Sequence, residues 1–210
     1  METLRQISDR QECDKSDNMH TFYGESYPHV YERYFSTIRD KKINLLELGV
    51  WQGKSLRMWR EYFPNAKIVG VDINPSALCH MTLECDVRII SQDDSEELSQ
   101  LSTGYGGWDV VIDDASHLNH LTKKSFDILW KFVKSGGLYI IEDLKASYMN
   151  LSDLPDNWNG VNLHPEKQDR NNDREILNKL FLEKIRQIDY AKGDVRSIHF
   201  YHQMAIIEKI

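Results

Sequence analysis

Five short apolar runs, each meeting an acidic or amide side chain at or just past its C-terminal end, constrain this chain more than any other feature. The runs cover residues 43–48, 67–71, 86–90, 108–112 and 138–141. Glu47 lies in the end of the first and Asp72 ends the second. Gln92, Asp93 and Asp94 follow the third, Asp113-Asp114 the fourth, and Glu142-Asp143 the fifth. Runs this short and this rich in β-branched residues suit strands buried on both faces of a parallel sheet.

The segments between them have helical length: 55–62, 76–83, 95–101 and 118–133. The last is the clearest, with Leu121, Phe126, Leu129, Trp130 and Val133 at helical spacing and Gly136-Gly137 as a stop. Strand alternating with helix implies right-handed crossovers. The fold class expected is α/β, a Rossmann-like doubly wound sheet with helices on both faces. Two strand-like runs, 195–201 and 204–208, are separated only by His202-Gln203 and read as a terminal antiparallel hairpin. With the five parallel strands this makes seven. A further helix is expected at 27–38 and another at 173–188. Residues 1–40 read as an N-terminal helical cap and 41–210 as the main domain. The Asn-, Asp- and Pro-rich stretch 150–172, containing Trp158, reads as a lid loop.

Composition narrows the class. At 210 residues and 40% hydrophobic, the chain suffices for one α/β domain with a sizeable core. A formal net charge of -7 disfavours nucleic acid and anionic membranes as partners. No apolar run approaches the roughly 18 residues that span a bilayer, and the first 16 residues lack a signal-peptide core. A cytoplasmic location is expected. Cys13, Cys79 and Cys85 are odd in number and loosely spaced, which fits reduced thiols better than disulfides, and Cys79-His80 with Glu84-Cys85 matches no common zinc spacing.

Ligands of an open parallel sheet bind outside the carboxyl ends of its strands. Acids at nearly every such end repel one another unless a cation or polar ligand compensates them. The turn from Glu47 through Gly49 to Gly53 joins a strand to a helix, but it is not the three-glycine pyrophosphate loop of nicotinamide enzymes. Glu47 would repel a pyrophosphate and attract an ammonium and a sulfonium, so S-adenosylmethionine (SAM) fits better than NAD. Asp72 can accept both ribose hydroxyls, and Gln92 or Asp93 the adenine amino group. The second job falls to Asp113-Asp114, Glu142-Asp143 and His117. Carboxylates without a neighbouring cysteine make a hard oxygen site suited to Mg²⁺. Whether Asp113 or Asp114 faces the ion stays open, and either could instead cap the following helix. His117 beside such a cation is a candidate general base.

The segments Leu45-Leu46-Glu47-Leu48-Gly49-Val50, Gly70-Val71-Asp72-Ile73, Ile112-Asp113-Asp114-Ala115-Ser116-His117 and Gly136-Gly137-Leu138-Tyr139-Ile140-Ile141-Glu142-Asp143-Leu144 resemble the macrocin and mycinamicin type of macrolide-sugar O-methyltransferase. The resemblance runs from about Asp14 to the C-terminus and takes in Ser197-Ile198-His199-Phe200-Tyr201. It implies SAM and Mg²⁺ as cofactors and a small-molecule hydroxyl acceptor, a sugar or glycosylated natural product. It also implies Asp114, Glu142 and Asp143 as metal ligands and His117 as base. Glu47, Gly49, Asp72, Gln92 and Asp113 would line the SAM pocket. Asp14-Lys15, His20 and Tyr23 or Tyr27 resemble that family's N-terminal segment, which closes over the donor. A catechol-type O-methyltransferase with Lys145 as base and a non-catalytic SAM-binding protein stand as alternatives. The acceptor and the oligomeric state stay open.

Overall fold

The structure, a computed structural model, describes residues 2–16, 21–22, 24–82, 84–149 and 172–210. In chain order its elements are α1 (Leu4–Arg10), β1 (Thr21–Phe22), β2 (Glu25–Ser26), α2 (Tyr27–Phe35), β3 (Asn44–Leu48), α3 (Lys54–Tyr62), β4 (Lys67–Asp72) and β5 (Cys85–Ile89). Then follow α4 (Ser95–Tyr105), β6 (Trp108–Asp113), α5 (Asn119–Leu129), β7 (Val133–Ile141), α6 (Glu175–Asp189), β8 (Val195–Tyr201) and β9 (Met204–Lys209). β1 and β2 form a small antiparallel pair; the other seven strands form one sheet in the order β5-β4-β3-β6-β7-β9-β8. β3 to β7 pair in parallel, and the β8–β9 hairpin joins β7 antiparallel. The strand order reverses between β3 and β6, the switch point at which such sheets bind ligands.

Alternation along the strands sorts the core into two layers. Leu45, Ile68, Val110, Ile112 and Ile140 pack on α1, α2 and α3. Leu46, Val69, Val111, Tyr139 and Ile141 pack on α4, α5 and α6. Both sides of each central strand are therefore apolar, as a doubly wound sheet requires. In the first layer Trp59 is fully buried and meets Tyr31 edge-on at 5.1 Å between ring centroids, locking α2 to α3. Truncating a buried Trp of this kind to Ala costs about 3–5 kcal/mol.

Three local expectations are corrected. The helix read over 118–133 ends at Leu129, and Val133 already belongs to β7. Gly136-Gly137 lie inside that strand, where the register slips between the Trp108–Val133 and Val110–Leu138 pairs. Gly136 takes φ +73, and a Cβ on Gly137 would come within 3.0 Å of the Asp109 carbonyl oxygen, so the glycines serve the irregular strand rather than a helix stop. The helix read over 76–83 is a single 3₁₀ segment, Pro75–His80, started by the Asn74 side chain accepting from Ser76 N. Within the 1–40 segment expected to be helical, α1 carries a reciprocal Thr3–Gln6 capping box and buries Leu4 and Ile7. The hairpin and the helices α2 and α6 lie where the periodicity puts them, within a few residues. The expected lid over 150–172 lies outside the described residues except for Asn172. Among the described residues the three cysteines are free, and no helix is long and apolar enough to cross a membrane.

Candidate active site

The loops after β3, β4 and β6 are stitched together at the sheet's carboxyl edge. Gly49 N donates to Val71 O at 2.7 Å and Asp114 N to Leu48 O at 2.9 Å. Gly49 takes φ +95, and a Cβ there would stand 2.1 Å from the Asp114 carbonyl oxygen, so only glycine lets the two loops meet. Gly53, at φ +65, opens α3 against the His80 side chain. Asp72 organises the entrance: its Oδ2 accepts from Val50 N at 2.8 Å and Trp51 N at 3.0 Å, and its Oδ1 from Asn74 N at 2.8 Å. Between these loops lies a cleft of about 680 Å³, walled by residues 48–52, 71–74, 90–92 and 114–117 together with Asp14 and Asp143.

The expected donor-binding residues divide between this wall and the layer behind it. Gly49, Asp72 and Gln92 are in the wall. Gln92 Oε1 accepts from Ser116 N at 3.1 Å, while its buried Nε2 has no protein partner. Glu47, Asp93 and Asp113 stand behind. Glu47 shares a strand face with Leu45, is wholly buried, and accepts from Ser55 Oγ at 2.7 Å. Burial pushes its carboxyl up to about 7, against the pull of the Lys15 ammonium. Asp113 points to the opposite face, where Ser125 Oγ at 2.5 Å and Tyr139 OH at 3.1 Å donate to it, and burial lifts it to about 6. Asp93 accepts from Ser91 Oγ at 2.5 Å and pairs with Lys124 at 3.1 Å. Gly53 starts the helix that borders the cleft, and Tyr23 and His20 lie outside the described residues.

Past the end of β6 it is Asp114, not Asp113, that turns into the cleft. Neither aspartate caps α5, whose N-cap position is Leu118. One ligand atom each from Asp114, His117 and Asp143 lie within 4.8 Å of one another. His117 Nε2 is 3.9 Å from Asp114 Oδ1 and 3.6 Å from Asp143 Oδ2. Both His117 (φ +58) and Asp143 (φ +51) hold left-handed backbone, which costs a non-glycine residue about 1–2 kcal/mol and persists only where contacts over-determine it. The contacts are present. Asn172 Nδ2 donates to His117 O at 3.0 Å, and Tyr27 OH donates to Asp143 Oδ1 at 2.7 Å while accepting from Asp143 N at 3.2 Å.

Glu142 stands apart from that trio. It is buried, accepts from Lys15 Nζ at 2.7 Å and from the Tyr31 hydroxyl, and burial holds its carboxyl well above the usual range. The Lys15 ammonium also bonds Asp114 Oδ2 and lies 3.6 Å from Glu47 Oε1. Burial would lower its pKa, but Asp114, Glu142 and Glu47 together raise it well above the ordinary lysine value, so it stays charged. The sequence gives Lys15 no distinguishing mark beyond its place in the resembling N-terminal segment, and it gives none to Tyr31 or Asn172. Their role arises from contacts 99, 111 and 55 residues away in the chain.

Comparison with known proteins bears on this geometry. Residues 46–144 match a family model described as a methyltransferase domain. The chain is 32% identical over 98% of its length to mycinamicin VI 2''-O-methyltransferase of Micromonospora griseorubida, covering 52% of that protein. It is likewise 32% identical over 98% of its length to demethylmacrocin O-methyltransferase of Streptomyces fradiae, covering 53% of it. A solved structure of the MycE methyltransferase from the mycinamycin pathway, in complex with Mg, SAH and mycinamycin VI, superposes with a TM-score of 0.76 at 31% identity, over 99% of this chain and 54% of that one. The chain spans about half the length of the curated relatives it matches.

Proposed function

We propose that the chain is a class I methyltransferase similar to the macrocin and mycinamicin type, and that it transfers the methyl group of SAM to a hydroxyl of a sugar or glycosylated small molecule, assisted by a divalent cation. The observation that carries the reading is the juxtaposition of Asp114, His117 and Asp143 at the inner end of a cleft that opens at the switch point of the sheet. Relatives that methylate mycinamicin VI, demethylmacrocin and L-olivosyl-oleandolide suggest the acceptor class.

The residues present fit both cofactors. Glu47, Asp114 and Glu142 converge on a single ammonium, with Asp143 beside them, so the cluster keeps a surplus of negative charge for a further cation. The carboxylate donors are hard enough for Mg²⁺, and His117 stands beside them as the base. Asp114 and Asp143 would hold the ion, and Glu142 borders them through Lys15. In the donor cleft Gln92 Nε2 lacks a protein partner among the described residues, and Asp72 Oδ1, which accepts from Asn74 N alone, keeps a lone pair for a ribose hydroxyl, whereas Oδ2 is filled by Val50 N and Trp51 N. Once bound, the cation would acidify and orient the acceptor hydroxyl. His117 accepts the hydroxyl proton at Nε2, the nitrogen aimed at the two aspartates. Asp143, pinned by Tyr27, keeps the imidazole in register, and the remainder of the acceleration comes from positioning. A cap over 1–40, a lid over 150–172, a donor contact of Tyr23, support of the donor cleft from behind by Glu47, Gly53, Asp93 and Asp113, and a cytoplasmic site of action belong to the same proposal.

The test is calorimetry with S-adenosylhomocysteine (SAH), coupled to methyl transfer onto a panel of glycosides. Asp114→Ala and His117→Ala should each lose turnover by about 10²–10⁴-fold while SAH still binds. Loss of SAH binding in both would refute this division of labour.

A further inference from the structure

Asp114 is shared between two positive partners. Its Oδ2 is bonded by the Lys15 ammonium, and its Oδ1 faces His117 at 3.9 Å and the candidate ion site. Lys15 is 1% exposed and contacts two further carboxylates, Glu142 at 2.7 Å and Glu47 at 3.6 Å. No ordinary surface ion pair looks like this: a lysine has been carried into the core by the loop after α1 and set down at the centre of the acids. Its neighbour Asp14 lines the donor cleft, so one short segment touches both parts of the site.

We propose that Lys15 is a resident counter-cation that lowers the divalent-ion affinity of the site formed by Asp114 and Asp143 beside His117. The inference rests on the reading of Asp114 and Asp143 as a metal site. Without a cation, the buried carboxylates repel one another and the fold suffers. Lys15 supplies part of the missing charge permanently. A divalent ion arriving at Asp114 Oδ1 then meets a carboxylate already partly neutralised and a positive charge on its far oxygen, in surroundings where screening is weak. The ion binds more loosely than the carboxylate count suggests, and the metal-free protein remains folded.

The test is Mn²⁺ binding, followed by the magnetic-resonance signal of the free ion, with SAH affinity measured calorimetrically on the same preparations. Lys15→Met should bind Mn²⁺ at least about tenfold more tightly than wild type, and Lys15→Arg, which keeps the charge, should stay within about threefold. Should Lys15→Met fail to fold, the paired Lys15→Met/Glu47→Gln variant removes one charge of each sign and should show the same tightening. Unchanged or weaker Mn²⁺ binding in either folded variant overturns the role of Lys15. A wild-type protein that binds neither SAH nor Mn²⁺ overturns the methyltransferase reading instead.

Discussion

Replacing Asn172 by alanine should both destabilise the protein and slow it, because one amide holds three loops. Its Nδ2 donates to His117 O at 3.0 Å and Ala146 O at 3.1 Å, and its Oδ1 accepts from Asn119 N at 2.7 Å. Two lost donated bonds cost about 1 kcal/mol each, and the stranded Asn119 N–H adds about 1–3, giving about 3–5 kcal/mol in unfolding free energy. With the clamp gone, His117 relaxes from its left-handed backbone. A displacement on the order of 1 Å at the base is worth about 10²-fold in turnover. SAH affinity should stay within about threefold, since Asn172 does not line the donor cleft. Asn172→Asp should be worse than alanine, because a carboxylate would face two carbonyl oxygens. Guanidinium melts and single-turnover methyl transfer read the two effects separately. A variant with the wild-type unfolding midpoint would show that the bonds carry no net energy. A destabilised variant with full turnover would show that Asn172 does not position His117.

Gly49→Ala should cost about 3 kcal/mol or more and abolish SAH binding, through a positive φ and a Cβ placed 2.1 Å from the Asp114 carbonyl; a variant that melts and binds like wild type would refute the close approach. Glu47→Gln should alter the pH dependence of stability. A carboxyl raised from 4.5 to about 7 favours the fold below pH 4.5, and that contribution of about 3 kcal/mol is lost as pH rises through 7. The variant should therefore gain on wild type between pH 5 and pH 8, whereas parallel stability curves would contradict the raised value. Asp72→Asn leaves one acceptor oxygen where the carboxylate serves three backbone amides, so SAH affinity should fall about 10²-fold by calorimetry. Unaltered affinity would place the ribose elsewhere.

The sheet was legible because its signal is local and redundant. Each of the five parallel strands is an apolar run bounded by polar residues, and each crossover has one sense, so the order around the switch point follows with little freedom. The errors fall where a local rule met a tertiary demand. Gly136-Gly137 carry the sign of a helix stop, yet β7 begins at Val133 because Trp108 pairs with it, and the glycines absorb the slipped register. α1 falls within the segment read as a helical cap, but its bounds were not legible because two buried residues, Leu4 and Ile7, are too few to set a period, although the Thr3–Gln6 box marks its start.

The site was legible in residue type and less so in direction. Acids at strand ends announce an electrostatic purpose, but alternation decides which way each one faces. Glu47 and Asp113 are strand residues and therefore point into the two core layers, toward Ser55 and Ser125. Asp114 and Asp143 follow their strands and are free to turn into the cleft, where left-handed backbone at His117 and Asp143 completes the turn. Asp114 is the first residue past β6 and Asp143 the second past β7, whereas Glu142, the first past β7, is still a buried charge that Lys15 and Tyr31 support. That distinction separates the cleft wall from the layer behind it. A lysine from a distant segment lies among these acids because Glu47 and Glu142 are buried from solvent, so their counter-charge has to be brought to them.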